Sequence, residues 1–161
     1  MKKLTIILFL MSITSIFAQE IKKEDFNNYY IELLRSDIKT QAKFLVSQSM
    51  KFSDEDASVF WPIYNEFEMK LDKLGDKRLA NIRDFANNYE KMTDQTADKI
   101  IERAFNYQEE RLKLKREMYN KLKEKFDAAT AAKFIQLEHQ IQLIVDLKIN
   151  AELPLIKKSQ Q

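Results

Sequence analysis

Phe52-Ser53-Asp54-Glu55-Asp56-Ala57, Met92-Thr93-Asp94-Gln95-Thr96-Ala97 and Phe126-Asp127-Ala128-Ala129-Thr130-Ala131 are three versions of one local signal. Each sets an apolar residue before a Ser, Thr or Asp, then a polar residue three positions later, then an Ala. The cap oxygens of Ser53, Thr93 and Asp127 can accept from the orphan amides of a first helical turn, with Asp56, Thr96 and Thr130 as reciprocal partners. An apolar residue returns eight positions after the first, at Phe60, Ile100 and Phe134, which fixes the angle at which the chain enters each helix. The repeated Ala suggests close approach by a neighbouring backbone. Three helix starts are thus expected, spread over the whole middle of the chain.

Working outward, apolar residues recur every three or four positions on both sides of these starts. A first helix is expected from about Glu24 to Ser49, carrying Phe26, Tyr30, Leu33, Leu34, Ile38, Ala42 and Leu45. The second begins at Ser53 and carries Phe60, Tyr64, Phe67, Leu71, Leu74, Ile82, Phe85 and Tyr89. The third begins at Thr93, with Ile101, Phe105, Leu112, Tyr119, Leu122 and Phe126 on one stripe, and the fourth runs from about Asp127 to Ala151. One Gly and two Pro are too few to turn a β-protein. Pro62 lies inside the second helix, removes a backbone bond to Ser58 and should kink it. Gly75 could end that helix, but the amphipathic spacing resumes at Leu79 and Ile82, which favours one long, bent helix. The fold class is therefore all-α: four long helices, bent rather than straight, with a short extended tail from about residue 152.

The N-terminus has a different character. Lys2 and Lys3 precede an apolar run from Leu4 to Phe17, Ala18 follows, and the chain turns polar at Gln19. That order matches a cleavable secretory signal over residues 1–18, with an apolar run too short to span a bilayer comfortably. The mature domain is then 19–161, outside the cytoplasm and, in a cell with two membranes, periplasmic. No Cys follows the run, so a lipid anchor is not expected. The full chain has 27 Lys and Arg against 25 Asp and Glu; losing Lys2 and Lys3 leaves 25 of each sign. A net charge of zero argues against nucleic acid or an anionic membrane as the main partner. Without cysteine the domain must hold together by helix packing alone.

Catalytic chemistry needs convergent groups, and few are on offer. His139 is the only histidine, so a histidine-based metal cluster is impossible, and Glu138-His139 reads as a polar stretch of the fourth helix. No Gly-rich phosphate loop or nucleophile elbow can be built around a lone Gly75. Asp54-Glu55-Asp56 suits the dipole of a first helical turn better than calcium. No enzyme activity, metal or cofactor is expected.

Binding surfaces are better represented. The third helix has a second apolar stripe, Ile100, Ala104, Tyr107, Leu114 and Met118, interrupted by Arg111 and Lys121. From Lys99 to Lys125 it holds nine basic and five acidic residues. The fourth helix is apolar most of the way round, so it must touch several neighbours, a second subunit or a client. The same residues also fit a broad core stripe, and Trp61 fits a core anchor.

The capped starts resemble degenerate forms of the L-T-x-x-Q motif of the Spy/CpxP-like family of periplasmic helical stress proteins. Phe52-Ser53-Asp54-Glu55-Asp56 is similar to a first copy of it and Phe126-Asp127-Ala128-Ala129-Thr130 to a second. Phe60-Trp61-Pro62-Ile63-Tyr64, Thr93-Asp94, Ala132 to Glu138 and Leu153-Pro154-Leu155-Ile156 resemble a divergent secreted branch. Phe replaces the motif's Leu, and Asp or Thr its Gln. The resemblance spans roughly Gln41 to Ile156 and implies a cradle-shaped homodimer that holds unfolded or partly folded envelope proteins without ATP. The contact surface it implies is concave and mixes apolar with basic groups; the client-binding residues expected on it are Trp61, Tyr64, Arg111, Leu114, Lys115 and Met118. Some relatives instead regulate an envelope stress response through one partner, such as an anti-sigma factor or sensor kinase. The metal-sensing branch uses histidines that this chain lacks. A purely structural coiled-coil protein is a third reading.

Overall fold

The computed structural model describes the backbone of residues 23–156 and the side chains of residues 37–156. The expected signal segment, residues 1–18, and its junction lie outside the described residues. The chain divides into two compact units, residues 1–41 and 42–161. Four helices make up the described chain: α1 Lys23–Met50, α2 Asp54–Asn88, α3 Asp94–Lys125 and α4 Ala128–Glu152, with a 3-10 turn Tyr89–Lys91 between α2 and α3. The protein is all-α, and α2 passes unbroken through both Pro62 and Gly75 over 35 residues.

The three capping signals form as their chemistry dictates. Ser53 Oγ accepts from the Asp56 amide at 3.1 Å, Thr93 Oγ1 from the Thr96 amide at 3.1 Å, and Asp127 Oδ1 from the Thr130 amide at 2.7 Å. The reciprocal bond joins side chain to side chain: Ser53 Oγ donates to the Asp56 carboxylate at 2.9 Å and Thr130 Oγ1 to that of Asp127 at 2.9 Å. The amide of Thr130, followed by its hydroxyl, holds the Asp127 carboxyl below the usual carboxylate range. The apolar partners also meet. The rings of Phe52 and Phe60 lie 4.7 Å apart, and Phe52 stacks on Phe126 at 5.2 Å, so two helix starts are stapled to each other. Met92 packs with Ile100 in the same way at the opposite end. Lys51 ends α1 in the left-handed region, at φ 53°.

Within the second unit, α2, α3 and α4 run up, down and up. Ion pairs mark the antiparallel register of α2 and α3: Glu66 with Lys121, Lys70 with Glu117, Lys77 with Glu110 and Asp84 with Arg103. Steps of four, seven and seven along α2 are matched by equal steps back along α3, the spacing of a heptad seam. The core beneath is fixed at one end by Phe60, Tyr64, Phe67, Leu122 and Phe134, closed by Val46 and Met50 from the last turns of α1. Phe85, Met92 and Ile100 form a smaller cluster at the other end, where Leu153 packs after α4. Ala131 is fully buried, as close helix approach requires. No helix of the described residues is long and apolar enough to cross a membrane.

Candidate functional site

The structure exchanges the expected roles of the two stripes over much of α3, but not throughout: Leu122 of the first stripe is fully buried as expected, and Ala104 of the second is exposed. Ile100, Tyr107, Leu114 and Met118 are buried and form the bundle core, together with Leu122. Ile101, Phe105 and Leu112, expected to face inward, are exposed at 41%, 58% and 59%. Advancing one residue turns the direction by about 100°, so a misassigned stripe points sideways into solvent. Burial follows the spacing 100, 107, 114 and 111, 118, which keeps pace with the heptad ion pairs on α2.

The expected client-binding set is corrected accordingly. Tyr64, Arg111, Leu114 and Met118 are buried, Lys115 is largely covered, and Trp61 is half-buried. Leu114 and Met118 floor a shallow groove between α2 and α3 whose rim, Glu66, Lys70, Glu117 and Lys121, is ion-paired across it. Trp61 packs edge-on against Phe60 and Tyr64 and carries the Lys43 ammonium over its ring at 5.4 Å. These six residues make a core and its margin, not an open surface. Burial, and then Glu68 and Glu138 nearby, push the Tyr64 hydroxyl far above its ordinary value.

Arg111 and Glu138 were not expected as core residues, yet they are the buried charged pair among the described residues. The Arg111 guanidinium donates to Glu138 Oε1 across α3 and α4. The Lys115 ammonium lies 2.8 Å from Glu138 Oε2 but off the hydrogen-bonding direction, and donates to Gln142 at 3.0 Å. Arg111 Nε has no acceptor. A second bridge, Arg78 to Asp146, ties α2 to α4, and Arg78 also lies over the Tyr107 ring. Glu138 and Asp146 are thereby turned inward, and both serve packing. The Arg111–Glu138 pair is almost closed to solvent.

What remains open is the outer flank of α3, on the side away from its ion pairs with α2. Ile101, Phe105 and Leu112 lie there, with Tyr119 half-buried at the far end. Among the basic residues of α3, Arg103, Arg111, Lys115 and Lys121 are paired with α2 or α4. Lys113, Arg116 and Lys123 are exposed and form no ion pair among the described residues. These three cations stand near the exposed apolar residues of α3, together with Glu102 and Glu109, which are exposed as well. Leu143, Ile144 and Leu147 on α4, and Leu155 beyond it, are exposed as well. Among the described residues no group of three or more His, Asp or Glu could hold a metal ion.

No protein-family model matches the chain, and no curated protein or solved structure matches it.

Proposed function

We propose that the protein is an exported, ATP-independent chaperone-like binder that holds unfolded or partly folded chains of the cell envelope. The observation that carries this reading is the exposed Ile101–Phe105–Leu112 flank of α3 beside the unpaired Lys113, Arg116 and Lys123. Export is the expectation drawn from residues 1–18, and the resemblance to periplasmic helical stress proteins supports the same role. The contact surface differs from the one expected from sequence: it is the outer flank of α3, not the Tyr64–Leu114–Met118 group.

The physics suits reversible holding. Three side chains that are already half-covered gain roughly 1 kcal/mol each on full burial, so apolar contact alone binds weakly. Exposed lysine and arginine speed encounter with acidic segments and lose that effect as salt rises. A client that folds withdraws its apolar groups and leaves, without nucleotide. Helix packing and the capped ends keep the scaffold rigid while the flank is used.

The test is the aggregation of a chemically denatured enzyme on dilution. The protein should suppress light scattering at near-stoichiometric ratio, and Phe105→Ser with Leu112→Ser should weaken that suppression without loss of helicity. No protection of unrelated clients, together with one tight partner in a pull-down, would overturn the reading in favour of a regulatory module.

A further inference from the structure

The two halves of α4 are held differently. Its buried residues, Ala131, Phe134 and Glu138, all lie in the first half of the helix. Beyond them the same row continues as Ile141, Val145 and Ile149, and each of these is only half-buried. The neighbouring helices show no such change. Phe85 of α2 and Ile100 and Tyr107 of α3 stay buried at that end of the bundle, and Lys77–Glu110 and Asp84–Arg103 pair across their seam.

Two polar contacts tie the second half of α4 down. Arg78 of α2, lying over the Tyr107 ring, pairs with Asp146, and Lys115 of α3 donates to Gln142 at 3.0 Å. Past the helix end, Leu153 packs on the Phe85–Met92–Ile100 cluster. Apolar stabilisation scales with the area covered, so the half-covered Ile141, Val145 and Ile149 hold less per residue than the fully buried Phe134. Leu143, Ile144 and Leu147 are exposed and add little. The Arg78–Asp146 pair, with side chains 18% and 22% exposed, therefore carries a large share of the attachment. Segments with few buried apolar contacts open as cooperative units below the global unfolding free energy.

We propose that residues 141–153 form a strap, latched by Arg78–Asp146, that lifts off the α2–α3 hairpin as one unit while the first half of α4 stays in the core. Lifting takes Leu153 away from Phe85, Met92 and Ile100 and frees Ile141, Val145 and Ile149. With Leu143, Ile144 and Leu147 already exposed, the freed segment is apolar on both sides. Arg78 is left without its carboxylate beside the uncovered cluster. The strap itself is independent of any client. Its consequence rests on the holding role proposed above: the open form offers an unfolded chain more apolar surface than the closed one, and the latch sets how often it does so.

Native-state hydrogen exchange of the purified protein, read residue by residue, tests the strap with no client present. Amides of residues 145–152 should share one opening constant, at least tenfold larger than that of residues 64–74 in α2. Asp146→Asn should raise it about fivefold, the most that a partly exposed ion pair supplies, and leave the α2 amides unchanged. Arg78→Gln, which changes the charge in the opposite sense, should do the same. Exchange that rises steadily toward residue 152 and ignores both variants is end fraying and overturns the proposal. One opening constant shared by α2 and all of α4 overturns it as well. A fluorescently labelled, permanently unfolded polypeptide then tests the consequence. Both variants should bind it at least twofold more tightly, and binding equal to the parent's overturns the strap's part in holding. Absence of binding by the parent overturns the holding role instead, while the exchange result still decides the strap.

Discussion

Replacing Glu138 with Leu removes the buried carboxylate that lies between Arg111 and Lys115 in the core of the bundle. The Glu138 side chain is 7% exposed, and those of Arg111 and Lys115 are 10% and 16%. Lys115 has a flexible stem and can swing to solvent. Arg111 cannot do so without leaving the α3–α4 contact, and its Nε is already without an acceptor. Breaking a buried pair by removing one partner costs about 3–5 kcal/mol, and the escape of Lys115 places Glu138→Leu near the lower end, at about 3 kcal/mol. Arg111→Met alone should cost less, about 1–2 kcal/mol, because Lys115 still faces the carboxylate. The double variant should return to within about 1 kcal/mol of the parent, since similar apolar groups replace both charges. Urea unfolding followed by far-UV circular dichroism measures all three, with unchanged denaturant slopes confirming a common unfolded state. A Glu138→Leu penalty below about 1 kcal/mol, or strictly additive single effects, would refute the claim that this pair is buried and mutually dependent.

Three smaller outcomes follow from local geometry. Lys51→Gly should raise stability by about 0.5–1 kcal/mol in a thermal melt, because Lys51 adopts φ 53°, where a Cβ is unfavourable. Thr93→Ala should cost about 1 kcal/mol by deleting the oxygen that accepts from the Thr96 amide at the start of α3. Tyr64 has its hydroxyl pKa raised by burial, so the folded state keeps a proton that the unfolded chain releases near 10.0. That contribution is complete below the unfolded value and is lost as pH rises past it; Tyr64→Phe should flatten the fall in stability above pH 10 measured by urea titration.

The sequence carries most of the scaffold because each helix start has a local cause. Ser53, Thr93 and Asp127 cap where their oxygens reach the first-turn amides, Phe52 meets Phe60 eight places on, and Met92 shares a cluster with Ile100. The continuity of α2 is also local: the spacing on both sides of Gly75 stays in phase. The face of α3 is not local. Two apolar stripes about 100° apart are equally good by periodicity, and only the neighbours decide which one is covered. Arg111 misled the sequence reading, since a charge in a stripe suggests solvent. Its partner Glu138 lies 27 residues away on another helix, beyond any spacing rule. Heptad spacing does not separate them either: 100, 107 and 114 keep it with 111 and 118, and so do 105, 112, 119 and 126 with 101 and 122. The exposed face of α4 was legible as apolar all round, but only packing separates the half that is covered.

The central claim is that the outer flank of α3 holds unfolded chains, and one titration tests it most directly. A fluorescently labelled, permanently unfolded polypeptide is titrated with the protein, and its anisotropy is followed at low salt. Saturable binding is predicted, weakened at least tenfold by Phe105→Asp with Leu112→Asp, a loss of about 1.4 kcal/mol or more. Absence of binding, or binding that the double variant leaves unchanged, would contradict the account.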